Sequence, residues 1–143
     1  MKKIGLVLFA MFAIVLSSCE KEEEYIYKDG AYQAEEAEYH YGWKAYLNLE
    51  IKKDKVVAVE FDYFNAENKL KSETTADEYP MPLSPSIWIP QYEEMVMEAN
   101  IINFTEVDVV TGATGAQGNL NDLLDAILEA AKSGNTTKLI VAL

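Results

Sequence analysis

The chain has 143 residues, and 24 acidic against 12 basic side chains give it a formal net charge of −12. Such an acidic surface repels a phosphate backbone, which argues against nucleic acid as a partner. With one cysteine and one histidine, the chain cannot form an internal disulfide framework or the usual transition-metal site of clustered His and Cys ligands. We therefore expect no metal.

Residues 1–18 have the pattern of an export signal, in which Lys2 and Lys3 precede an apolar run that ends in small residues. The end of this run, LSSC at 16–19, resembles the lipobox of bacterial lipoproteins, which implies that Cys19 is acylated and becomes the mature N-terminus. Several acyl chains on one residue anchor a protein durably to a membrane. The alternative is a plain cleaved secretory signal followed by an unmodified cysteine.

The mature chain is strongly acidic at its start. Removing residues 1–18 leaves 10 basic and 24 acidic residues, a formal charge of −14. We interpret residues 19–28 as a solvated tether. Its segment EKEEEY, at 20–25, resembles the export signal of Bacteroidetes surface lipoproteins, which implies display on the cell surface. Residues 29–143 have the length of one domain.

Alternating apolar residues predict strands in the first half of this domain. A weakly alternating segment, residues 29–39, gives the first. The next two segments are joined by a tight turn at Asp54–Lys55 and form an antiparallel hairpin. Their apolar faces are predicted to hold Leu47, Leu49 and Ile51 on one strand and Val57, Val59, Phe61 and Tyr63 on the other.

Helical spacing follows a long polar loop at 65–85. One helix carries Tyr92, Met95, Val96 and Ala99 on one face, with Pro90 tolerable in its first turn. The second is predicted to end at Gly134, and the final TKLIVAL is compatible with an edge strand. Its apolar face holds Leu120, Leu123, Leu124, Ile127 and Ala131. These elements predict an α+β fold, an antiparallel sheet with two or more helices packed on it.

The segment DVVTGATGAQGNLNDLL, at 108–124, places two threonines at the start of the second helix. The first turn of a helix offers unpaired N–H groups and the positive end of a dipole, which together stabilise a phosphate. A threonine there can hold the phosphate covalently. The alternative is that Thr111 and Thr114 only cap the helix, while Gly112 supplies a turn with positive φ.

The heptapeptide DVVTGAT resembles the Asp-x-x-Ser/Thr-Gly-Ala-Thr element of the FMN-binding domain family. That family includes flavin subunits of the Rnf and sodium-translocating NADH:quinone oxidoreductase complexes, and small extracellular electron-transfer lipoproteins. DGAY, the segment 41–72 and WIPQYEEMVMEAN follow the order of the family, so the resemblance covers nearly all of residues 29–132.

The resemblance implies that FMN is attached by a phosphoester to Thr114. A separate flavin transferase, which uses FAD and magnesium, would form this bond. Gly112 and Ala113 let that enzyme approach the backbone, Thr111 completes the motif, and Asp108 is part of what the enzyme recognises. The sequence departs from the family after the motif, where residues 115–118 replace a common Thr-Ser pair.

The function that the resemblance implies is an exported, membrane-anchored electron carrier and not a substrate-turnover enzyme. Its partners would be a membrane quinone-linked reductase or an extracellular electron acceptor. Two alternatives stay open at this point. One is a non-redox surface lipoprotein that keeps the scaffold, and the other is a protein that binds FMN without a covalent bond.

Aromatic residues are candidates for stacking on the flavin ring. Trp88 follows the long loop, which makes it a candidate flavin neighbour, with Met81 and Leu83 as weaker ones. Tyr41 and Trp43 are further candidates, although Trp43 opens a strand and is better explained as a core residue. His40, the single histidine, is better explained as a surface residue than as a group that protonates the flavin.

Overall fold

The structure is a computed structural model that describes residues 23–143; residues 1–18, Cys19 and the start of the tether lie outside the described residues. Its strands are β1 (Gly30–Glu36), β2 (Lys44–Lys52), β3 (Lys55–Phe64) and β4 (Leu139–Val141). Its helices are α1 (Pro85–Glu98) and α2 (Thr114–Ser133), and short 3-10 turns span Lys71–Glu73 and Ile101–Asn103. No helix in this part of the chain is both long and apolar enough to cross a membrane.

The four strands form one sheet in the order β3-β2-β1-β4. Strands β1, β2 and β3 pair in antiparallel fashion, and β4 adds to the β1 edge as a parallel strand. A parallel neighbour needs a long crossover connection, and α2 lies in the chain segment between β1 and β4. The predicted α+β fold and the edge strand are confirmed, and the fourth strand makes the sheet mixed.

The hairpin turn lies one residue earlier than predicted. Lys53 and Asp54 both have positive φ, 50° and 58°. Two-residue hairpin turns whose backbone matches the right-handed twist of the strands require this left-handed conformation at both central residues. The register then shifts opposite Glu50 and Ile51, so that Val56 turns inward and Val57 is 42% exposed. The prediction of Val57 on the core face was wrong because this bulge interrupts the alternation.

One face of the sheet is buried beneath both helices. Helix α1 packs on β3, and α2 packs on β1 and β2. The predicted apolar face of α2 is buried along its length, and Gly134 ends the helix with a φ of 75°, as expected. Helix α1 begins at Pro85, so Pro90 lies inside the helix and not in its first turn; its ring is exposed.

The chain joins the domain before the predicted boundary at residue 29. The Asp54 carboxylate accepts hydrogen bonds from the backbone N–H groups of Ile26 (2.9 Å) and Tyr27 (2.8 Å). The Lys28 N–H then donates to the Ala131 carbonyl at 2.8 Å. Tyr27 is buried. The last residues of the predicted tether are therefore part of the fold, held by the turn of the hairpin and by the end of α2.

Leu124 lies on α2 with none of its surface exposed. We expect Leu124→Ala to lower the free energy of unfolding by about 3 kcal/mol, because a large buried side chain is replaced by a cavity. Urea denaturation measures the change. Asp122→Ala, on the exposed face of the same helix, is the control and should change stability by less than about 0.5 kcal/mol. Equal effects of the two substitutions would contradict the proposed core.

Candidate functional site

A tight turn precedes α2 and carries the Thr-Gly-Ala-Thr motif. The Ala113 N–H donates to the Val110 carbonyl at 2.9 Å, which closes the turn. Gly112 has a φ of 91°, in the left-handed region that residues with a Cβ rarely adopt. A Cβ at Gly112 would lie 3.6 Å from that of Leu83, an ordinary contact. The backbone conformation, and not lack of space, therefore calls for glycine at this position.

The hydroxyl of Tyr92 on α1 bridges this turn. It accepts a hydrogen bond from the Val110 N–H (3.1 Å) and donates one to the Ala113 carbonyl (2.8 Å). Tyr92 has no exposed surface. Burial raises the pKa of its phenol, so the hydroxyl keeps the proton that it donates. One side chain thus satisfies both ends of the motif turn from inside the core.

Two polar side chains of α2 hold the segment that leads into the turn. The Val107 N–H donates to Asn121 Oδ1, and Gln117 Nε2 donates to the Val107 carbonyl, both at 2.8 Å. Asp108 follows this anchored residue and is exposed, with its carboxylate accepting a hydrogen bond from the next N–H of the chain. The motif is therefore fixed on both sides while Asp108 faces solvent.

Thr114 is the first residue of α2, and Ala113 occupies the N-cap position without a side-chain capping bond. The prediction that Thr111 and Thr114 cap the helix is therefore wrong, whereas the turn with positive φ that the same alternative expected at Gly112 is confirmed. Within residues 23–143, the N–H groups of Thr114 and Gly115 donate no hydrogen bond, as expected in the first turn of a helix. Thr114 itself is exposed. The helix start offers a free hydroxyl beside free N–H groups.

A cavity of about 440 Å³ opens at this helix start. Of the predicted site residues, the structure brings together Gly112, Ala113, Thr114 and Trp88 along its wall. Met81 and Tyr41 also line it, and Tyr41 is fully exposed. The wall does not include three others that the sequence singled out, Asp108, Thr111 and Leu83.

Aromatic rings form much of the wall. Trp43 meets Tyr79 edge to face at 6.3 Å between centroids, and Tyr63 meets Trp88 in the same way at 6.1 Å. Trp88 is 2% exposed, and its Nε1 is a buried donor without a partner in the described chain. Trp43 is only half-buried, so its expected place in the core is wrong in part, because the indole also lines the cavity.

Lys71 brings a positive charge to the same wall. Its side chain is buried, and its Nζ lies 4.3 Å from the ring centre of Tyr63 and 4.5 Å from that of Tyr79. The ring centres of Trp43 and Trp88 lie 5.6 and 6.0 Å from the same Nζ. These distances are those of cation–π contacts. Lys71 sits in the 3-10 turn of the long loop, which carries it over the end of the sheet.

A carboxylate and the histidine occupy another part of the wall. Glu36, at the end of β1, is buried and accepts a hydrogen bond from the Ala45 N–H. Its second oxygen lies 3.7 Å from His40 Nε2. His40 is exposed, as expected, but it also borders the cavity. Both side chains therefore line the cavity, and these partners do not belong to the motif turn.

Sequence patterns did not single out Lys71, Tyr79, Glu36 or Asn119 as site residues. Asn119 donates to the Tyr63 hydroxyl at 3.0 Å on the cavity wall, one turn along α2 from Thr114. The one available signal was position: Lys71 and Tyr79 lie in the long loop, where functional residues concentrate. Tyr92 was predicted as a core residue, and its hydroxyl bonds to the motif were not.

Comparison with known proteins identifies a structural relative. No family model matches the chain, and neither does any curated protein. The chain is similar to the crystal structure of the CPE2226 protein from Clostridium perfringens, with a TM-score of 0.73 and 29% sequence identity. The alignment covers 82% of this chain and 98% of that one. The two proteins share the fold over nearly the whole of the clostridial chain.

We expect Tyr92→Phe to loosen the motif turn, because the Val110 N–H and the Ala113 carbonyl lose their shared partner. The free energy of unfolding should fall by about 1–3 kcal/mol, and amide hydrogen exchange should accelerate at Val110. Tyr46→Phe removes a hydroxyl that donates to exposed Glu60, and it should leave both quantities nearly unchanged. Unaltered exchange at Val110 in the Tyr92 variant would disprove the bridging role.

Proposed function

We propose that the protein is an exported, lipid-anchored electron-transfer flavoprotein that carries FMN as a phosphoester of Thr114. The observation that carries this proposal is the position of Thr114: it lies on the wall of an aromatic cavity and opens a helix whose first N–H groups are free. A phosphate ester at Thr114 would meet the positive end of α2. The flavin ring would then have an aromatic cavity beside its point of attachment.

The residues of the cavity fit this cofactor. Its volume of about 440 Å³ lies in the range of small-molecule sites, and its wall combines aromatic faces with a few polar groups. Gly115 lines the cavity, and a Cβ built there would meet nothing within 4 Å. Gly115 is the second residue of α2. Its presence in the first turn leaves open space where the attached group must pass.

When bound, FMN supplies the electron-accepting and electron-donating chemistry, and the chain supplies attachment and surroundings. Thr114 would hold the phosphate, and the N–H groups of Thr114 and Gly115 would donate to it. Trp43, Tyr79 and Trp88 would offer apolar faces to the ring and exclude water from it. Trp88 Nε1, buried without a partner, would gain an acceptor.

The proposed function as an electron-transfer flavoprotein also implies the partners of the protein. A flavin transferase would make the phosphoester, and a membrane quinone-linked reductase or an extracellular acceptor would exchange electrons with the loaded protein. A covalent bond suits an exported carrier, because a cofactor held only by affinity is lost on dilution. Acylated Cys19 would hold the protein on the membrane. The acidic surface leaves no role for nucleic acid.

Thr114→Ala should abolish covalent flavin attachment, because it removes the hydroxyl that would form the ester. The chain is co-expressed with a flavin transferase and run on a denaturing gel under ultraviolet light. We expect a fluorescent band for the native chain and for Thr114→Ser, a weaker band for Thr111→Ala, and none for Thr114→Ala. Mass spectrometry of the peptide 108–132 should show one FMN adduct.

Thr137→Ala, an exposed threonine beyond α2, is the matched control and should label fully. Both tryptophans of the chain line the cavity, so their emission reports its occupancy. Quenching by free FMN, together with an unlabelled native peptide, would show a non-covalent flavin protein. If a known family member is labelled while the native chain is neither labelled nor quenched, the flavin proposal is wrong and a non-redox lipoprotein is the better account.

Asp108→Ala should impair flavin loading with little effect on folding. The carboxylate is exposed and off the cavity wall, so its role would be recognition by the transferase. Absorbance of the purified protein gives the FMN content, and thermal unfolding gives the stability. Exposed Glu106→Ala, two residues earlier, should load normally. Full loading of Asp108→Ala would remove Asp108 from the proposed site.

A further inference from the structure

The ammonium of Lys71 is buried without a negative partner in the described chain. Its side chain is 8% exposed, and none of the ion pairs within residues 23–143 includes it. A buried charge is normally paired, because leaving water is strongly unfavourable for an ion. The surrounding rings offset part of this cost. The arrangement keeps one positive charge without a direct ion pair on the cavity wall.

None of the groups that line the cavity forms an ion pair with Lys71 within the described residues. Burial raises the pKa of the Tyr63 phenol, which keeps the nearest ring neutral at physiological pH. Glu36 is the acidic residue on the cavity wall, and its two oxygens face the Ala45 N–H and His40. The charge of Lys71 therefore acts on whatever occupies the cavity.

Trp88 provides a second and independent sign of an absent acceptor. Its Nε1 is fully buried and has no hydrogen-bond partner in the described chain, and other atoms of Trp88 line the same wall. A buried donor left unpaired is costly. The Lys71 ammonium at this wall and the Trp88 N–H buried beneath it therefore both lack acceptors in the described chain. A flat ring with acceptor atoms along one edge, or with negative charge on that edge, matches this wall.

We propose that Lys71 raises the reduction potential of FMN held in this cavity. The inference rests on the proposed function. Reduction adds two electrons and one proton to the neutral ring, which leaves one net negative charge; the electrons come from a reduced carrier in the cell and from dithionite in the test. A fixed cation in a site of low dielectric favours this reduced anion over the neutral oxidised ring.

The test compares the midpoint potentials of full-length, FMN-loaded variants in detergent, by dithionite titration with a reference dye. Lys71→Met should lower the potential by an amount equal to a roughly tenfold change in the redox equilibrium constant, which is about 30 mV for a two-electron couple. Lys71→Arg should restore most of the difference. Lys44→Met is the matched control: it removes a lysine that lies 4.7 Å over Tyr39 and off the cavity wall. It should keep the native potential.

Sulfite provides a second readout, because its sulfur lone pair forms a bond to N5 of the oxidised ring; the C=N π bond at N5 breaks, and its electron pair leaves the ring of the adduct anionic, with no leaving group. Its dissociation constant should rise roughly tenfold in Lys71→Met and stay near the native value in Lys44→Met. Near-ultraviolet circular dichroism checks folding, and Lys71→Gln replaces Lys71→Met if that variant is unfolded.

Native potential and native sulfite affinity in a loaded, neutral Lys71 variant would overturn the inference and leave the proposed function intact. A native chain that takes up no FMN would overturn both. If neither neutral variant folds, the charge of Lys71 serves the stability of the fold, and the inference is withdrawn.

Discussion

The hydroxyl of Tyr92 is the constraint on which the candidate site depends. It joins the two ends of the motif turn, and its ring packs edge to face on Phe61 of β3, with centroids 6.2 Å apart. The turn is therefore held by the same side chain that fills the space between α1 and the sheet. A turn with hydrogen bonds only to its own residues would leave Gly112 free to change its backbone conformation. This turn is bonded to a side chain that is packed in the core, so the close packing of the core restricts it. The restricted turn sets the position of Thr114.

The cavity concentrates chemistry that the rest of the surface lacks. The chain is acidic overall, yet the described cavity wall holds one buried lysine, one unpaired indole N–H and one carboxylate that is engaged elsewhere. Several segments converge to build it: the end of β1 and the loop that follows, the end of β3, the long loop, α1, the motif turn with the start of α2, and Leu143. Such convergence makes the wall stiff, and a stiff polar wall favours one ligand charge state over another without having to rearrange.

The spacing of apolar residues correctly predicted the strands and helices whose inward residues all pack against the same core. The faces of β2 and α2 were correct because every inward residue meets the same core. The predicted inward position of Val57 was wrong, because a β-bulge adds a single residue to one strand and the alternation of apolar residues does not reveal it. The burial of Lys71 could not be predicted for another reason: it depends on four rings that come from four separate segments of the chain. Thr114 was predicted from a motif, and it lines the cavity.

Helix α2 runs from the candidate site at its N-terminal end to the point, at its other end, where the N-terminal segment of the chain joins the fold. The chain enters the fold where the Lys28 N–H meets the Ala131 carbonyl, near the C-terminal end of the helix, and Thr114 opens its N-terminal end. Along the helix these positions are about 25 Å apart. A protein held by its N-terminus would thus carry the cavity on its far side, turned toward the bulk phase. The proposed redox partner would then reach the cavity from solution, and electron exchange with a partner embedded in the bilayer would require the domain to turn over.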